Sequence, residues 1–235
     1  MRNRRLPTRL RAYGWFNKLL KLTLGSYLKW RFGVRPLSRR TLLATKPPYL
    51  LLPNHVGYWD PFMAGMFVPQ PVHFVAADAV FRSPALRRLL TLVGAVPKTK
   101  GVSDLQMLRQ LIRIRDAGGV IGIFSEGGRT WDGTTLALMP GTAKLVKLLR
   151  VPVICPVFRG GYLSHPRWSR SPRNGPLYID YRTVLSAADV RSLPVPQIES
   201  ELIKALRHDE HEWRRHAAVT YRSRRPAEYA EHVLF

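Results

Sequence analysis

Residues 51–62 read LLPNHVGYWDPF, an apolar run that ends on a histidine, His55, five residues before an aspartate, Asp60. A neutral imidazole has a pKa of about 6.5 and can accept a proton from a hydroxyl group. A carboxylate beside its other ring nitrogen would hold the tautomer and stabilise the imidazolium that forms. Asp60 followed by Pro61 is also typical of an ordinary helix start, with the aspartate as N-cap. The pair therefore indicates acid–base chemistry and leaves a structural role open.

Residues 119–133 read GVIGIFSEGGRTWDG and place a glycine-rich turn directly after an apolar run that predicts a buried strand. Glycines let backbone N–H groups approach an anion, and the planar guanidinium of Arg129 suits a phosphate. The alternative is a plain surface turn with a solvated pair of Glu126 and Arg129. The spacing does not fit a P-loop, and Ser125 lacks the glycine two residues before it that a nucleophile elbow needs. A hydrolase with a serine nucleophile is therefore disfavoured.

The elements that must position these residues alternate along the chain, with short apolar runs between amphipathic stretches. This pattern predicts an α/β fold with a mixed central sheet flanked by helices, and the candidate residues should lie where strands end. Predicted strands cover residues 49–52, 72–76, 120–124, 153–158 and 177–181, and predicted helices cover residues 61–67, 84–93, 103–117, 141–149 and 197–217.

The charge of the chain is strongly one-sided. Its 235 residues include 38 Lys and Arg against 15 Asp and Glu, a formal net charge of +23, and the first acidic residue is Asp60. Such a charge indicates a polyanionic partner, which can be nucleic acid, an anionic membrane surface or a phosphorylated substrate. The sequence contains no recognisable module that reads nucleic acid. A basic nucleic-acid-binding protein is therefore the alternative from a different class, with the charge as its only support.

The cysteine content and the N-terminus bear on the compartment. The single Cys155 excludes an intrachain disulfide framework, which favours a reducing compartment, and its apolar surroundings predict a small core residue. The basic N-terminus lacks the uninterrupted apolar region and the small-residue cleavage site of a signal peptide. The sequence has no apolar run of about 18 residues that would span a bilayer. We therefore expect a protein that is neither exported by that route nor membrane-spanning.

Residues 13–32 predict a basic amphipathic helix that lies on a membrane surface. Each basic residue adds roughly 1 kcal/mol to binding on anionic lipid. A helix that docks on the core with its lysines in water is the alternative. We expect a membrane-binding segment over residues 1–38 and an α/β domain with a C-terminal helix over residues 39–235. The predicted apolar side consists of Phe16, Leu19, Leu20, Tyr27 and Trp30, and the predicted basic side of Lys18, Lys21 and Lys29.

The two motif stretches together resemble the glycerophospholipid acyltransferase family, the relatives of bacterial 1-acyl-glycerol-3-phosphate acyltransferase. The hallmark of that family is Asn-His followed by four residues and Asp, which Asn54, His55 and Asp60 match. The family motif Phe-Pro-Glu-Gly-Thr-Arg-Ser is matched by FSEGGRT at residues 124–130. The resemblance covers roughly residues 40–185.

Two weaker motifs lie in the order that the family has, GAVPKTK at residues 94–100 and VPVICPV at residues 151–157. The chain departs from the family pattern chiefly in the motifs that contact phosphate, so the identity of the acceptor stays open. The departures are Ser125 for the usual Pro, Gly128 for Thr, Gly57 for Ser, and Thr99 with Lys100 for Asp-Arg.

The resemblance implies an O-acyltransferase in which His55 is the base, Asp60 orients it and the substrate hydroxyl is the nucleophile. The donor would be acyl-CoA or acyl carrier protein, and the reaction would need no metal or other cofactor. The acceptor would be a lysophospholipid, with 1-acyl-glycerol-3-phosphate giving phosphatidic acid; a lyso-aminolipid is the alternative acceptor. Glu126 would help to place the acceptor glycerol. The residues expected to bind the acceptor phosphate are Gly127, Gly128, Arg129, Lys98 and Lys100.

These expectations place the protein on the cytoplasmic face of a membrane as a peripheral enzyme. Its partners would be an anionic membrane surface, the lysophospholipid acceptor and the acyl thioester donor, and not nucleic acid. One other cluster, His208, His211 and Glu212, could share a helix face and hold a metal ion. Its spacing differs from that of metalloproteases, so a charged helix surface is the favoured interpretation.

Overall fold

The computed structural model describes residues 13–99, 104–164 and 177–217. Within them seven strands form one sheet: β1 Arg35–Leu37, β2 Leu50–Leu51, β3 Val72–Ala77, β4 Val96–Lys98, β5 Val120–Gly122, β6 Val153–Arg159 and β7 Tyr178–Leu185. Their order is β1-β7-β6-β2-β5-β3-β4. The β6–β7 pair is antiparallel and the other neighbouring pairs are parallel. The predicted mixed sheet is confirmed.

Helices cover the sheet. Within the described residues they are α1 Gly14–Phe32, α2 Arg39–Ala44, α3 Asp60–Met66, α4 Pro84–Leu92, α5 Leu105–Asp116, α6 Thr142–Leu149, α7 Gly161–Ser164, α8 Ala187–Ser192, α9 Val195–Leu206 and α10 Glu210–Ala217, with a 3₁₀ helix at Asp78–Arg82. None of these helices combines the length and the apolar character needed to cross a bilayer.

The core has two halves, one on each face of the sheet, because successive strand residues point to opposite faces. Leu51 and Ile154 belong to the half that also contains Leu28 of α1. Leu50 and Cys155 belong to the half formed with α5, α6 and α9. Both faces are therefore packed against helices, as a largely parallel sheet requires. Cys155 is fully buried, and burial raises the pKa of its thiol to about 12, so it is the core residue that the sequence predicts.

The five predicted strands are present as β2, β3, β5, β6 and β7, whereas β1 and β4 were not predicted. These two strands form the edges of the sheet, and each has three residues with a proline at its centre, Pro36 and Pro97. Proline has no N–H to donate to a neighbouring strand, so it is tolerated at an edge and obscures the strand pattern in the sequence. Because β1 pairs with β7, the sheet includes residues on the N-terminal side of residue 38. The division of the chain at residue 38 into a membrane-binding segment and an α/β domain stays a prediction.

The predicted helices at 61–67, 84–93, 103–117 and 141–149 are present as α3 to α6. The single predicted helix over residues 197–217 is wrong, because α9 ends at Leu206 and a separate helix, α10, begins at Glu210. The carboxylate of Asp209 accepts the backbone N–H groups of His211 and Glu212, at 2.9 and 3.0 Å. An aspartate in this position starts a new helix rather than continuing the previous one.

The N-terminal helix is present as α1, but it does not have one apolar face and one basic face. Gly25, Leu28 and Phe32 are buried against the core, whereas Trp15 is 64% exposed and Trp30 is 80% exposed. The predicted apolar side is therefore divided: Leu19, Tyr27 and Trp30 are exposed, while Phe16 and Leu20 are half-buried. Apolar residues on two sides let α1 pack on the core and still present aromatic side chains at the surface.

Lys21 does not belong to the basic side that the helical pattern predicts. Its ammonium group donates to the carbonyl oxygens of Val68 and Gln70, beyond the end of α3, the second at 3.2 Å. Burial lowers the pKa of Lys21 to about 8. Lys18 and Lys29 are exposed as predicted. The prediction for Lys21 is wrong because its partners lie 47 and 49 residues away along the chain, which helical spacing cannot reveal.

Candidate active site

His55 and Asp60 form a direct pair. The Nδ1 atom of His55 lies 2.8 Å from Oδ2 of Asp60, and Asp60 is only 2% exposed. Because an ionised carboxylate can only accept, this bond assigns the proton to Nδ1 and leaves Nε2 with a lone pair. The imidazole ring lies against Phe124, with 4.2 Å between ring centroids. The pair has the composition and geometry of a general base with its orienting carboxylate.

The sequence context of Asp60 suggests that it is the N-cap of α3, but the structure places it inside the helix. The N-cap is Trp59, and Asp60 is the first residue of the helix. The Oδ2 atom of Asp60 accepts the backbone N–H groups of Val56 and Gly57, at 2.7 and 2.8 Å. Its carboxylate therefore holds the loop that precedes the helix, and the same oxygen contacts His55.

Asn54 has a structural role that the sequence did not reveal. Its side-chain oxygen accepts the N–H of Phe158 at 2.7 Å, and its amide nitrogen donates to the carbonyl of the same residue at 3.3 Å. Asn54 is 2% exposed, so both bonds are protected from water. They join the loop that carries His55 to β6. The signal that could have indicated this role is its place directly before the histidine in the Asn-His motif quoted above.

Glu126 is buried beneath the histidine loop. One carboxylate oxygen accepts the backbone N–H of His55 at 3.1 Å, and the other accepts that of Leu136 at 3.0 Å. Burial raises the pKa of Glu126 from 4.5 to about 7, against the effect of the two backbone donors. The backbone of His55 is also held on its carbonyl side, where Thr130 donates its N–H at 2.8 Å. This geometry favours a positioning role for Glu126 over direct contact with an acceptor.

A large cavity opens beside His55. Its volume is about 1070 Å³, and its walls come from α1, α3, β3, α4, α5 and α6. Most of its lining is apolar, with Leu24, Phe74 and Leu108 as examples from three of these elements. We call it the apolar cavity. A cavity of this size and character suits a ligand with a long hydrocarbon part.

The structure brings most of the predicted site residues to this cavity. His55 lines it, and so do the predicted phosphate-binding residues Lys98, Gly127, Gly128 and Arg129. Asp60 and Glu126 lie behind the histidine loop, where they hold its backbone. Lys100 lies outside the described residues.

Gly127 fixes the shape of the glycine-rich turn. Its φ angle is +68°, in the left-handed region that other residues rarely adopt, and a Cβ atom there would lie 2.4 Å from the sulfur of Met139. The left-handed φ angle favours glycine, and any larger residue would also have to displace the flexible side chain of Met139. The turn can therefore bring Gly128 and Arg129 to the cavity beside His55.

Ser125 also lines the apolar cavity, but its geometry does not fit a nucleophile. Its hydroxyl oxygen is buried and makes no hydrogen bond to any described residue, so it is not bonded to the Nε2 atom of His55. A serine nucleophile is normally activated by such a bond. The geometry therefore does not favour Ser125 as a nucleophile.

The cluster of His208, His211 and Glu212 lies near the start of α10. His211 places Nε2 3.0 Å from the carbonyl oxygen of Asp132. Within the described residues, no three histidine, cysteine or carboxylate side chains converge as a metal ligand set requires.

Comparison with known proteins gives one family. Residues 35–159, more than half of the chain, match the family model described as Acyltransferase. The 1-acyl-sn-glycerol-3-phosphate acyltransferase of Limnanthes alba is 22% identical over 169 residues, which are 71% of this chain and 60% of the plant protein. The protein of the same name from Bacillus subtilis (strain 168) is 22% identical over 134 residues, 57% of this chain and 66% of the bacterial protein. The chain thus spans about 60% of the length of its plant relative.

A solved structure has the same fold. The crystal structure of the 1-acyl-sn-glycerophosphate (LPA) acyltransferase PlsC from Thermotoga maritima aligns with a TM-score of 0.70 at 16% identity. The alignment covers 82% of this chain and 77% of that chain. The likeness therefore includes the central sheet and its flanking helices.

The buried carboxyl of Glu126 predicts a pH-dependent stability. In the unfolded chain it ionises near pH 4.5, so between there and about pH 7 the folded state keeps a proton that the unfolded state has lost. The stability that Glu126 contributes below pH 4.5 is lost as the pH rises through about 7. Relative to Glu126→Gln, which does not titrate, the wild-type free energy of unfolding should fall by up to about 3 kcal/mol. Urea unfolding at several pH values between 4.5 and 8 measures the difference.

The matched control is Glu199→Gln, an exposed substitution on α9. Its difference from wild type should stay constant over the same pH range. A difference between Glu126→Gln and wild type that is equally flat would contradict the raised pKa of the Glu126 carboxyl.

Proposed function

The chain belongs to the acyltransferase family, and on this premise we propose that it transfers a fatty acyl group from a thioester to the free hydroxyl of a lysophospholipid. The relatives named 1-acyl-sn-glycerol-3-phosphate acyltransferase support this reaction. The observation that carries the proposal is the His55–Asp60 pair beside the apolar cavity, whose lining includes His55 and the cationic side chains of Lys98 and Arg129. A base, a hydrocarbon-sized cavity and cations at one place suit a lipid that bears both a hydroxyl and a phosphate.

The proposed reaction follows from the proton on Nδ1. The lone pair of Nε2 takes the proton of the acceptor hydroxyl, and the hydroxyl oxygen attacks the thioester carbonyl carbon. The carbon–sulfur bond breaks, and the imidazolium returns the proton to the leaving thiolate, so that an ester and a thiol are formed. Asp60, 2.8 Å away, stabilises the imidazolium between these steps. The proposed reaction needs no metal ion or other cofactor.

The acceptor is proposed to bind through its phosphate. Arg129 and Lys98 both line the cavity that contains His55, and Arg129 can form two parallel hydrogen bonds to a phosphate. A contact of Lys100 with this phosphate is proposed from the sequence alone. Two cations in the lining of the cavity that contains the base favour a phosphate-bearing lysophospholipid such as 1-acyl-glycerol-3-phosphate over a lyso-aminolipid, whose headgroup carries positive charge.

The association with membranes is proposed from α1. Leu20, Leu24 and Leu28 on one side of this helix line the apolar cavity, while Trp15, Leu19, Leu22, Tyr27 and Trp30 on the other sides are exposed. We call these five exposed residues the aromatic surface. If it enters the headgroup region of a bilayer, the cavity lies directly behind the interface, where acyl chains are available. A peripheral position on the cytoplasmic face, with acyl-CoA or acyl carrier protein as donor, fits this arrangement.

The first test concerns the base. His55→Ala should reduce kcat at least about a hundredfold, since general base catalysis is worth that much or more. Asp60→Asn should also reduce kcat while preserving the fold, because an amide oxygen can still accept the N–H groups of Val56 and Gly57 but cannot stabilise an imidazolium. The assay uses labelled acyl-CoA and 1-acyl-glycerol-3-phosphate, with thermal denaturation of each variant. His211→Ala is the control for loss of a histidine away from the cavity. Full activity in a folded His55→Ala protein would remove His55 from the mechanism.

The second test concerns the acceptor phosphate. Arg129→Gln should raise KM for 1-acyl-glycerol-3-phosphate about tenfold or more, because it removes a charge-assisted bond. The KM for acyl-CoA and the rate with monoacylglycerol, which has no phosphate, should change little. Arg129→Lys should have an intermediate effect, since an ammonium group cannot form the two-bond contact. An equal rise in both substrate constants would show that Arg129 does not act on the acceptor alone.

The third test concerns the aromatic surface. Deletion of α1 is unsuitable, because Leu28 and Phe32 belong to the core. The double variant Trp15→Ser with Trp30→Ser should instead keep its thermal stability and lose most of its sedimentation with phosphatidylcholine–phosphatidylglycerol vesicles. The control is Leu148→Ser with Ile203→Ser, which removes exposed apolar side chains elsewhere. The measurement is repeated in 0.5 M salt, where the Debye length is about 4 Å and electrostatic binding is screened. Unchanged sedimentation of the tryptophan variant under these conditions would mean that another surface is the anchor.

A further inference from the structure

Phe124, two residues after the end of β5, covers one face of the His55 ring. The ring centroids are 4.2 Å apart, and the ring planes are inclined by 31°. Two rings that met edge to edge could not bring their centroids this close without overlap of their hydrogen atoms, so the faces of the two rings are in contact. The imidazole therefore lies on the π surface of Phe124.

A second aromatic ring supports Phe124. The ring of Phe74, on β3, stacks against it with 5.7 Å between centroids and 21° between planes. Gly122 of β5 is the partner of Phe74 in the sheet register, and a Cβ atom at Gly122 would lie 2.4 Å from carbon atoms of the Phe74 ring. The ring thus fills the space above a strand glycine, a cross-strand arrangement that fixes an aromatic side chain. We call His55, Phe124 and Phe74 the ring stack.

The ring stack leaves the reactive edge of the imidazole open. Phe124 and Phe74 line the apolar cavity together with His55. Phe124 covers a face of the imidazole, whereas the lone pair of Nε2 lies in the ring plane and points from the edge. The Nδ1 edge is held by Asp60 at 2.8 Å. His55 is therefore fixed at one edge and on one face.

The face contact has an electrostatic consequence. The face of a benzene ring is the negative part of its quadrupole and attracts a cation that lies within about 6 Å of the centroid. A neutral imidazole gains little from this potential, whereas an imidazolium gains more. Phe124 thus favours the charged form of His55, in the same sense as the carboxylate of Asp60. A leucine of similar apolar character would pack at this place but has no such potential.

We propose that Phe124 is a positioning residue for His55: its face sets the plane of the imidazole and stabilises the imidazolium that forms when Nε2 takes a proton. This inference rests on the proposed acyl transfer, in which the proton passes from the acceptor hydroxyl to Nε2 and then to the leaving thiolate. Phe124 itself forms and breaks no bond.

Other charged groups also act on His55. Asp60 bonds its Nδ1, and Glu126 accepts its backbone N–H at 3.1 Å. The cations Lys98 and Arg129 line the same cavity. Substitution at position 124 leaves all four of these groups in place. A change in the titration of His55 in such a variant therefore reports the ring face.

Direct titration of His55 is the first part of the test. The imidazole signals of the full chain are followed by NMR against pH, and His55→Gln identifies the signal. Phe124→Leu removes the π face, and pentafluorophenylalanine at position 124 keeps a ring of similar shape with a reversed quadrupole. The midpoint of the titration should fall by about half a pH unit or more with leucine, and further with the fluorinated ring, because the imidazolium loses stabilisation.

The matched control is Phe62→Leu. The ring of Phe62 also lines the apolar cavity but packs against Trp59, with 6.0 Å between centroids. Its removal should leave the midpoint of the His55 titration unchanged. Thermal denaturation of each variant checks the fold. The fluorinated ring still decides the question if Phe124→Leu does not fold.

Turnover with labelled acyl-CoA and 1-acyl-glycerol-3-phosphate is the second part. The acid limb of the pH profile of kcat/KM should move to lower pH by the same amount as the NMR midpoint. In Phe124→Leu, kcat at the optimum should fall about threefold to tenfold, because the imidazolium formed during the reaction is less stable. A purely structural role would lower activity without moving the acid limb.

Equal midpoints for the wild type, the leucine variant and the fluorinated variant would overturn the inference, and so would a midpoint that rises. Loss of activity with an unmoved midpoint would show that Phe124 contributes packing alone. Absence of acyl transfer by the wild type would reject the proposed function, and the NMR titration would still decide whether Phe124 stabilises the imidazolium.

Discussion

Three successive backbone N–H groups, those of His55, Val56 and Gly57, donate to two buried carboxylates, and the geometry of the site depends on these bonds. Glu126 accepts the first, and Asp60 accepts the other two. Burying a carboxylate costs free energy unless the group is hydrogen-bonded. The N–H groups of the loop therefore stabilise the two carboxylates, and the carboxylates hold the loop in place. The charge of Asp60 also helps to raise the pKa of Glu126, which means that the two groups oppose each other electrostatically. The backbone donors offset this repulsion and stabilise both carboxylates in one small volume.

The sheet supplies the frame for this loop. Strand β2 is only two residues long, but it lies between β5 and β6 and runs parallel to both. The chain therefore leaves β2, β5 and β6 at the same edge of the sheet, where the histidine loop follows β2, the glycine-rich turn follows β5, and β6 ends at Arg159. In an open parallel sheet this edge is the usual place for ligands. Asn54 joins the loop after β2 to the end of β6, so the short strand is supported by its side-chain bonds as well as its neighbours.

Much of this arrangement could be predicted from the sequence, and the reasons for the failures are physical. The order of apolar runs predicted the central strands, and the residue types at their ends predicted His55, Asp60 and the glycine-rich turn, because side-chain chemistry and periodicity are local properties. The bonds of Lys21, His55 and Asn54 join residues that are 47, 71 and 104 positions apart, so no local pattern contains them. Periodicity also shows that α1 has apolar residues without showing which of them pack inward.

The apolar cavity meets the histidine loop at His55, and this arrangement fits the chemistry of the proposed lipid-modifying reaction. Hydrocarbon gains from leaving water, whereas phosphates gain from fixed donors, and the lining of this cavity offers both apolar side chains and the cations Lys98 and Arg129. The loop that carries His55 to this cavity is bonded through its backbone on each side of His55, by Glu126 on the N–H and by Thr130 on the carbonyl. A change in either bond would shift the histidine relative to the cavity. The backbone bonds of one short loop thus set the position of His55, and the side chains proposed to bind ligands lie around this loop.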